Sequence, residues 1–288
     1  MFRAEDGRLP VKIKDISVCM ASPEGDRAAF AFARAFAQVR DAHLSCAAFT
    51  ILPQIIVGYG DATGAELYAM AIQETREQMS ASWDRFEESL SNEPMIELRR
   101  FETMQNRVEP LSAMNARHAD LVIVQAPCSK DRQPHADFLE GALLGGGRPV
   151  LVLPSDWKKE IVGTRAVLAW DASREASRAL HDGLLILPEN ATVIITTVDA
   201  KPGDTGYGAA PAWDIGAHLS RHGCRVEVRN QDSIGRSVAE ALLDVATGYE
   251  ADLIVIGGYR HARLQQALLP GVTRTLLREA KVPLLLSH

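Results

Sequence analysis

The chain repeats itself at the scale of a domain. Ala119-Asp120-Leu121-Val122-Ile123-Val124 returns as Ala251-Asp252-Leu253-Ile254-Val255-Ile256. About thirty residues after each copy stands a second apolar run, Arg148-Pro149-Val150-Leu151-Val152-Leu153 and then Val282-Pro283-Leu284-Leu285-Leu286. The spacing is 132 residues from Ala119 to Ala251 and 134 from Pro149 to Pro283. Two short apolar runs recurring together at nearly one spacing mark a duplicated unit. A unit of this length is a whole domain, too long for a solenoid module. At 288 residues the chain has room for two, each able to bury its own core.

Each copy alternates β-rich runs with helical periodicity, the pattern of βαβ units on a parallel sheet. In the second copy strands are predicted over 165–169, 192–198, 224–229, 253–256 and 284–287. The run 192–198 is nearly all β-branched and too short for a typical helix. Ala176, Leu180, Leu184 and Leu187 recur at helical spacing. Val238, Ala241, Leu242, Val245 and Tyr249 mark the face of another helix, begun by Ser237 as N-cap with Glu240 three residues on. A Gly/Pro-rich loop over 201–211 leads to a helix ending at Arg221-His222-Gly223, and a last helix covers about 273–279.

The first copy follows the same order, with strands over 15–20, 44–52, 96–101, 121–126 and 150–153. A helix carries Phe32, Phe36 and Val39 on one face, and the insertion 65–90 reads as one long helix with Trp83 and Phe86 late in it. Residues 154–159 form the linker, which sets the expected domains at 1–156, the degenerate copy, and 163–288. The fold class is α/β: two tandem five-stranded parallel sheets of Rossmann-like type, related by a pseudo-two-fold axis. The final strands, 150–153 and 284–287, are short and apolar, so their edges are expected to be covered across the interface.

Composition narrows the function classes. Apolar residues make up 47% and charged residues 24%, a globular balance, and no run reaches the roughly eighteen apolar residues that span a bilayer. The first residues carry acids and lack the apolar core of a secretory signal. A net charge of −6 repels a phosphate backbone. The expectation is a cytoplasmic protein with neither membrane nor nucleic acid as partner. Cys19, Cys46 and Cys224 lie in or beside apolar runs and read as reduced and buried, whereas Cys128 follows a proline in a loop.

In an open parallel sheet, ligands sit beyond the carboxyl ends of the strands. In the second copy Trp170-Asp171-Ala172-Ser173 follows the first strand, and Gly257-Gly258-Tyr259-Arg260-His261-Ala262-Arg263 follows the fourth. Pro270-Gly271-Val272-Thr273 then opens the last helix. Glycines, a helix N-terminus and a hydroxyl suit a phosphate. Turn residues and an N-cap threonine account for the same pattern equally well.

These residues, with the Gly235-Arg236-Ser237 turn, resemble the universal stress protein family in its tandem arrangement. The likeness spans essentially the whole chain and is strongest over 163–288. It implies a role in stress response and, in nucleotide-binding members, an Asp after the first strand that contacts adenosine, a position matched by Asp171. It also implies a phosphate loop after the fourth strand: Gly, two residues, Gly, nine residues, Gly, then Ser or Thr. Gly257 fits the first glycine, but Arg260, Pro270 and Gly271 stand at the next three places, and Thr273 supplies a hydroxyl two residues on. Proline offers no N–H, and arginine does not take a glycine-only conformation, though Arg260 and Arg263 can pair with phosphate. The implied site, for a weakly bound ATP or AMP with its magnesium, is Asp171, Ser173, Gly257, Arg260, His261, Arg263, Gly271 and Thr273. No metal is expected apart from that of the nucleotide.

The first copy departs further. Its first strand runs into Ala21-Ser22 with no Asp at the matching place, and its fourth into Gln125-Ala126-Pro127-Cys128. Gly145-Gly146-Gly147 follows Ala142-Leu143-Leu144 and reads as a helix end and turn. His218-x-x-x-His222-x-Cys224 places two histidines on one helix face, read here as structural over metal-binding. The stretch from Gly58 to Gly64 misses the dinucleotide fingerprint, and there is no Walker A, G-x-S-x-G or H-E-x-x-H motif. The expected function is non-catalytic, through ligand binding or protein association. The alternatives are a nucleotide binder with slow ATPase activity centred on Asp171, Arg260 and Thr273, and a carrier of a small anionic or apolar ligand lined from residues 53–68. Homodimerisation is expected because members of the family that the chain resembles commonly associate through the same edge, and a pair formed within the chain leaves another face to bury.

Overall fold

The computed structural model describes residues 13–54, 62–127, 132–201, 203, 212–258 and 271–288. The first half runs β1 (Asp15–Met20), α1 (Arg27–Arg40), β2 (His43–Leu52), α2 (Ala62–Ser89), β3 (Ile96–Met104), α3 (Val108–Ala116), β4 (Leu121–Gln125), α4 (Arg132–Glu140) and β5 (Val150–Leu153). The second runs β6 (Arg165–Ala169), α5 (Arg174–Ile186), β7 (Thr192–Val198), α6 (Trp213–Arg221), β8 (Arg225–Gln231), α7 (Val238–Gly248), β9 (Leu253–Gly257), α8 (Gly271–Glu279) and β10 (Leu284–Ser287). The apolar runs become parallel strands because they are covered on both faces, which alternating strands with one wet face would not tolerate.

All ten strands join one sheet in the order β3-β2-β1-β4-β5-β10-β9-β6-β7-β8. Pairing is parallel within each half and antiparallel where the halves meet, with Val152 opposite Leu284, Leu151 opposite Leu285 and Val150 opposite Leu286. An order that reads the same from either end, with an antiparallel centre, places a pseudo-two-fold axis beside Leu151 and Leu285. Each final strand thus hides the other's edge, as the sequence leads one to expect.

Two cores follow, one on each face, and both cross from half to half. One gathers Phe32 and Phe36 of α1, Trp83 of α2, Leu180 and Ile186 of α5 and Leu219 of α6. The other gathers Val108 of α3, Phe138 of α4, Leu242 of α7 and Leu276 of α8. Val39 corrects the sequence reading: it lies in the last turn of α1 and is 80% exposed. Arg40 covers the apolar face there instead, with its guanidinium 3.5 Å from the Phe36 ring centroid and Nη2 donating to Ile186 O at 2.9 Å. That bond carries a cation from the first half to the carbonyl end of α5 in the second.

The repeated Ala-Asp pair has a structural explanation. Asp120 Oδ2 accepts the N–H groups of Lys14 (2.8 Å) and Asp15 (3.1 Å), tying the start of β4 to that of β1. Asp252 does the same before β6, accepting from Gly163 (2.9 Å), Thr164 and Arg165 (both 3.2 Å). The triple glycine is a helix end, as expected. α4 runs into a π turn over Gly141–Gly145, and Gly147 takes φ +64°. A Cβ on Gly145 or Gly146 would strike Ala113 or Ala116, so the bare backbone lets this turn lie directly on α3.

Candidate functional site

In each half the chain steps from the first strand outward, then crosses back to place the fourth strand on the other side. The switch points are therefore the carboxyl ends of β1 with β4 and of β6 with β9. These two positions are equivalent by symmetry and differ in chemistry.

At the second switch point the backbone turns sharply after β6. Asp171 Oδ1 accepts the Ser173 N–H at 3.0 Å, Ala172 sits at φ +56°, and Ser173 caps α5 by accepting the Ala176 N–H at 3.1 Å. Asp171 is exposed. Gly257, at the end of β9, lies against that same helix start: a Cβ there would be 2.5 Å from Ala176 N and from Glu175 C. Glycine is needed for this close approach of α5 to β9. Glu175 is held below the usual carboxylate range by a backbone hydrogen bond first, and further by Arg174 and His288. Gly271 opens α8 exposed, whereas Thr273 in the same turn is 3% exposed.

The first switch point is filled from within. Asp26, the residue before α1, turns back over β1 and is completely buried. Its Oδ2 accepts the N–H groups of Ala21 (2.7 Å) and Ser22 (3.1 Å), and its Oδ1 lies 2.6 Å from His135 Nε2 of α4. Gln125 Nε2, at the end of β4, donates to Gly25 O at 2.5 Å. A carboxylate of the chain itself thus occupies the backbone N–H groups that an anion would seek.

The sequence profile of the universal stress protein family matches residues 164–288. Residues 164–288 belong to the universal stress protein family. Among solved structures, a universal stress protein from Archaeoglobus fulgidus DSM 4304 aligns over 94% of this chain and 95% of its own, at 14% identity and a TM-score of 0.62. A protein from Pseudomonas aeruginosa UCBPP-PA14 assigned to the same family aligns over 96% and 93%, at 17% identity and a TM-score of 0.55. At these identities the likeness establishes the fold across both halves. No curated protein matches the chain.

Of the residues that the universal stress protein pattern singled out, Asp171 and Ser173 follow β6, Gly257 ends β9 against the start of α5, and Gly271 and Thr273 lie in the first turn of α8. Arg260, His261 and Arg263 lie outside the described residues, as do Cys128, most of the 201–211 loop and residues 55–61 of the carrier region. Asp26 and His135 were not picked out from sequence. An Asp six residues past a strand looks like an ordinary helix N-cap, and nothing in the spacing of 109 residues announces its partner.

The other candidate clusters are also placed. The His218 ring centroid lies 4.6 Å from that of His222 and 5.4 Å from that of His181 on α5, so a third histidine joins the expected pair. Among the described residues no group of three His, Cys, Asp or Glu has the geometry to hold a metal ion. Burial pushes the Cys19 and Cys46 thiols up to about 12, as expected of buried, inert cysteines, whereas Cys224 is only half-buried, and its thiol is raised by that partial burial. Among the described residues no helix is long and apolar enough to cross a membrane.

Proposed function

We propose that the protein works by binding and not by turnover, with an adenine nucleotide held at the switch point of the second half. The observation that carries this reading is the asymmetry of two equivalent positions. Asp26, His135 and Gln125 close the first with their own hydrogen bonds, whereas the second presents an exposed Asp171 and the exposed start of α8. The family supplies the ligand class, and Asp171 matches its adenosine-contacting position. Ser173 and Gly257 support the site indirectly, one by capping α5 and the other by letting α5 approach β9. Arg260 and Arg263 then meet the phosphates with side chains in place of glycine N–H groups. In this reading the first half is a scaffold, and the whole is a cytoplasmic stress-response protein.

Calorimetry on the full chain with ATP and AMP tests the proposal. One site per chain is expected, with Asp171→Ala weakening it about tenfold or more. Arg260→Gly should weaken ATP further and make its salt dependence shallower. Two sites per chain, or affinity indifferent to Asp171→Ala, would overturn the assignment. Release of phosphate from ATP, abolished by Asp171→Ala, would replace it with the slow ATPase reading.

A further inference from the structure

A cavity lies in the first half, at the amino ends of β1 and β2 and beside Arg99 of β3. Its volume is about 420 Å³, within the range of small-molecule sites. Strand register explains it. Asp15 pairs with His43, Ser17 with Ser45 and Ala47 with Arg99, so these side chains share the sheet face that α3 covers farther along. The last turn of α3 supplies Asn115, and His118 follows it.

The charged groups of this cavity answer one another. Arg99 Nη2 donates to Glu97 Oε2 at 2.7 Å. His43 stands between two carboxylates, 3.8 Å from Asp15 and 3.7 Å from Glu97. An anion would meet Asp15 and the carbonyl end of α3, and a cation would meet Arg99. The floor is polar: Ser17 is 2% exposed, and its hydroxyl has no hydrogen-bond partner within the chain. Ser45 beside it is 9% exposed, and Asn115 commits its Nδ2 to Leu111 O at 2.9 Å. A buried hydroxyl without a partner is costly, and a ligand that supplies one recovers the loss.

We propose that this cavity binds a small uncharged, hydroxyl-rich molecule of the polyol or sugar class, which takes a hydrogen bond from Ser17 at its floor and meets His118 at its mouth. The site is independent of the nucleotide reading, because it sits in the other half, five strand steps along the sheet from β6.

Saturation-transfer NMR on the full chain tests it with glycerol, ribose, glucose and myo-inositol as probes, each at about 10 mM, where a millimolar Kd is near saturation. Acetate and inorganic phosphate serve as charged counterparts. At least one of the four polyols should bind, and Ser17→Val should weaken it about five- to tenfold. His118→Ala, at an exposed position away from both cores, should weaken it as well and covers the case in which the strand variant does not fold. Silence from all four polyols would overturn the proposal. So would binding of acetate or phosphate in their place, or polyol binding unchanged in His118→Ala.

Discussion

The residue that separates the two halves most clearly is Asp26. Its carboxylate is buried against His135 and holds two backbone N–H groups, so removing it deprives the buried His135 ring and both N–H groups of their partner. Breaking a buried pair from one side costs about 3–5 kcal/mol, whereas an exposed carboxylate changed to alanine usually stays within about 0.5 kcal/mol. Urea denaturation should therefore show Asp26→Ala strongly destabilised and Asp171→Ala close to the parent. Equal effects would mean that the two positions are not as different as their burial makes them. Gly257 permits a second test. A methyl there meets the backbone of Glu175 and Ala176, which cannot swing aside as a side chain would. Gly257→Ala should cost about 1–3 kcal/mol by overpacking, measured in the same way.

At the scale of elements, α5 and α6 are joined by three histidines. His218 is held below its ordinary value, chiefly by burial and then by the charges of His222, His181 and Arg221. The sign follows from proton counting. The unfolded chain takes up this proton as pH falls through about 6.5, but the folded one does not until lower pH, so stability declines on acidification across that interval. His218→Gln should flatten the acid side of the stability–pH curve below about pH 6.5. A curve that keeps its slope would move the titration to another group. α7 shows the opposite relation between element and sequence, since its start was readable in advance. Ser237 accepts the Glu240 N–H at 3.2 Å while Glu240 accepts the Ser237 N–H at 2.7 Å, the reciprocal cap that S-x-x-E announces.

For the whole molecule, the antiparallel meeting of β5 and β10 has two consequences. Both cores run through both halves, so neither half keeps a complete core alone. Urea unfolding followed by tryptophan fluorescence and by circular dichroism should give one coincident transition, and two resolved steps would show the halves to be independent. The second consequence concerns association. The edges of β5 and β10 are consumed inside the chain, so a homodimer has to use another face, and β3 and β8 end the sheet. Light scattering at micromolar concentration should return twice the 31.4 kDa chain mass if the outer strands or the helix layers pair, and the monomer mass would count against a homodimer.

The duplication, the five strands of each half and most helices were legible in the sequence because they rest on local periodicity: β-branched runs, helical spacing, caps and glycine ends. Strands 15–20, 150–153, 165–169, 192–198 and 284–287 stand where their composition places them. Asp171 and Gly257 were legible too, as a residue type at the end of a strand. Long-range partnership was not. That Asp26 turns back onto His135, that Asp252 ties Gly163 to the start of β9, and that Ser17 floors a cavity under Arg99 all depend on residues tens of positions apart meeting at fixed register. Only the closed sheet decides such meetings, because burial sets which polar groups must find partners and topology sets which partners are within reach.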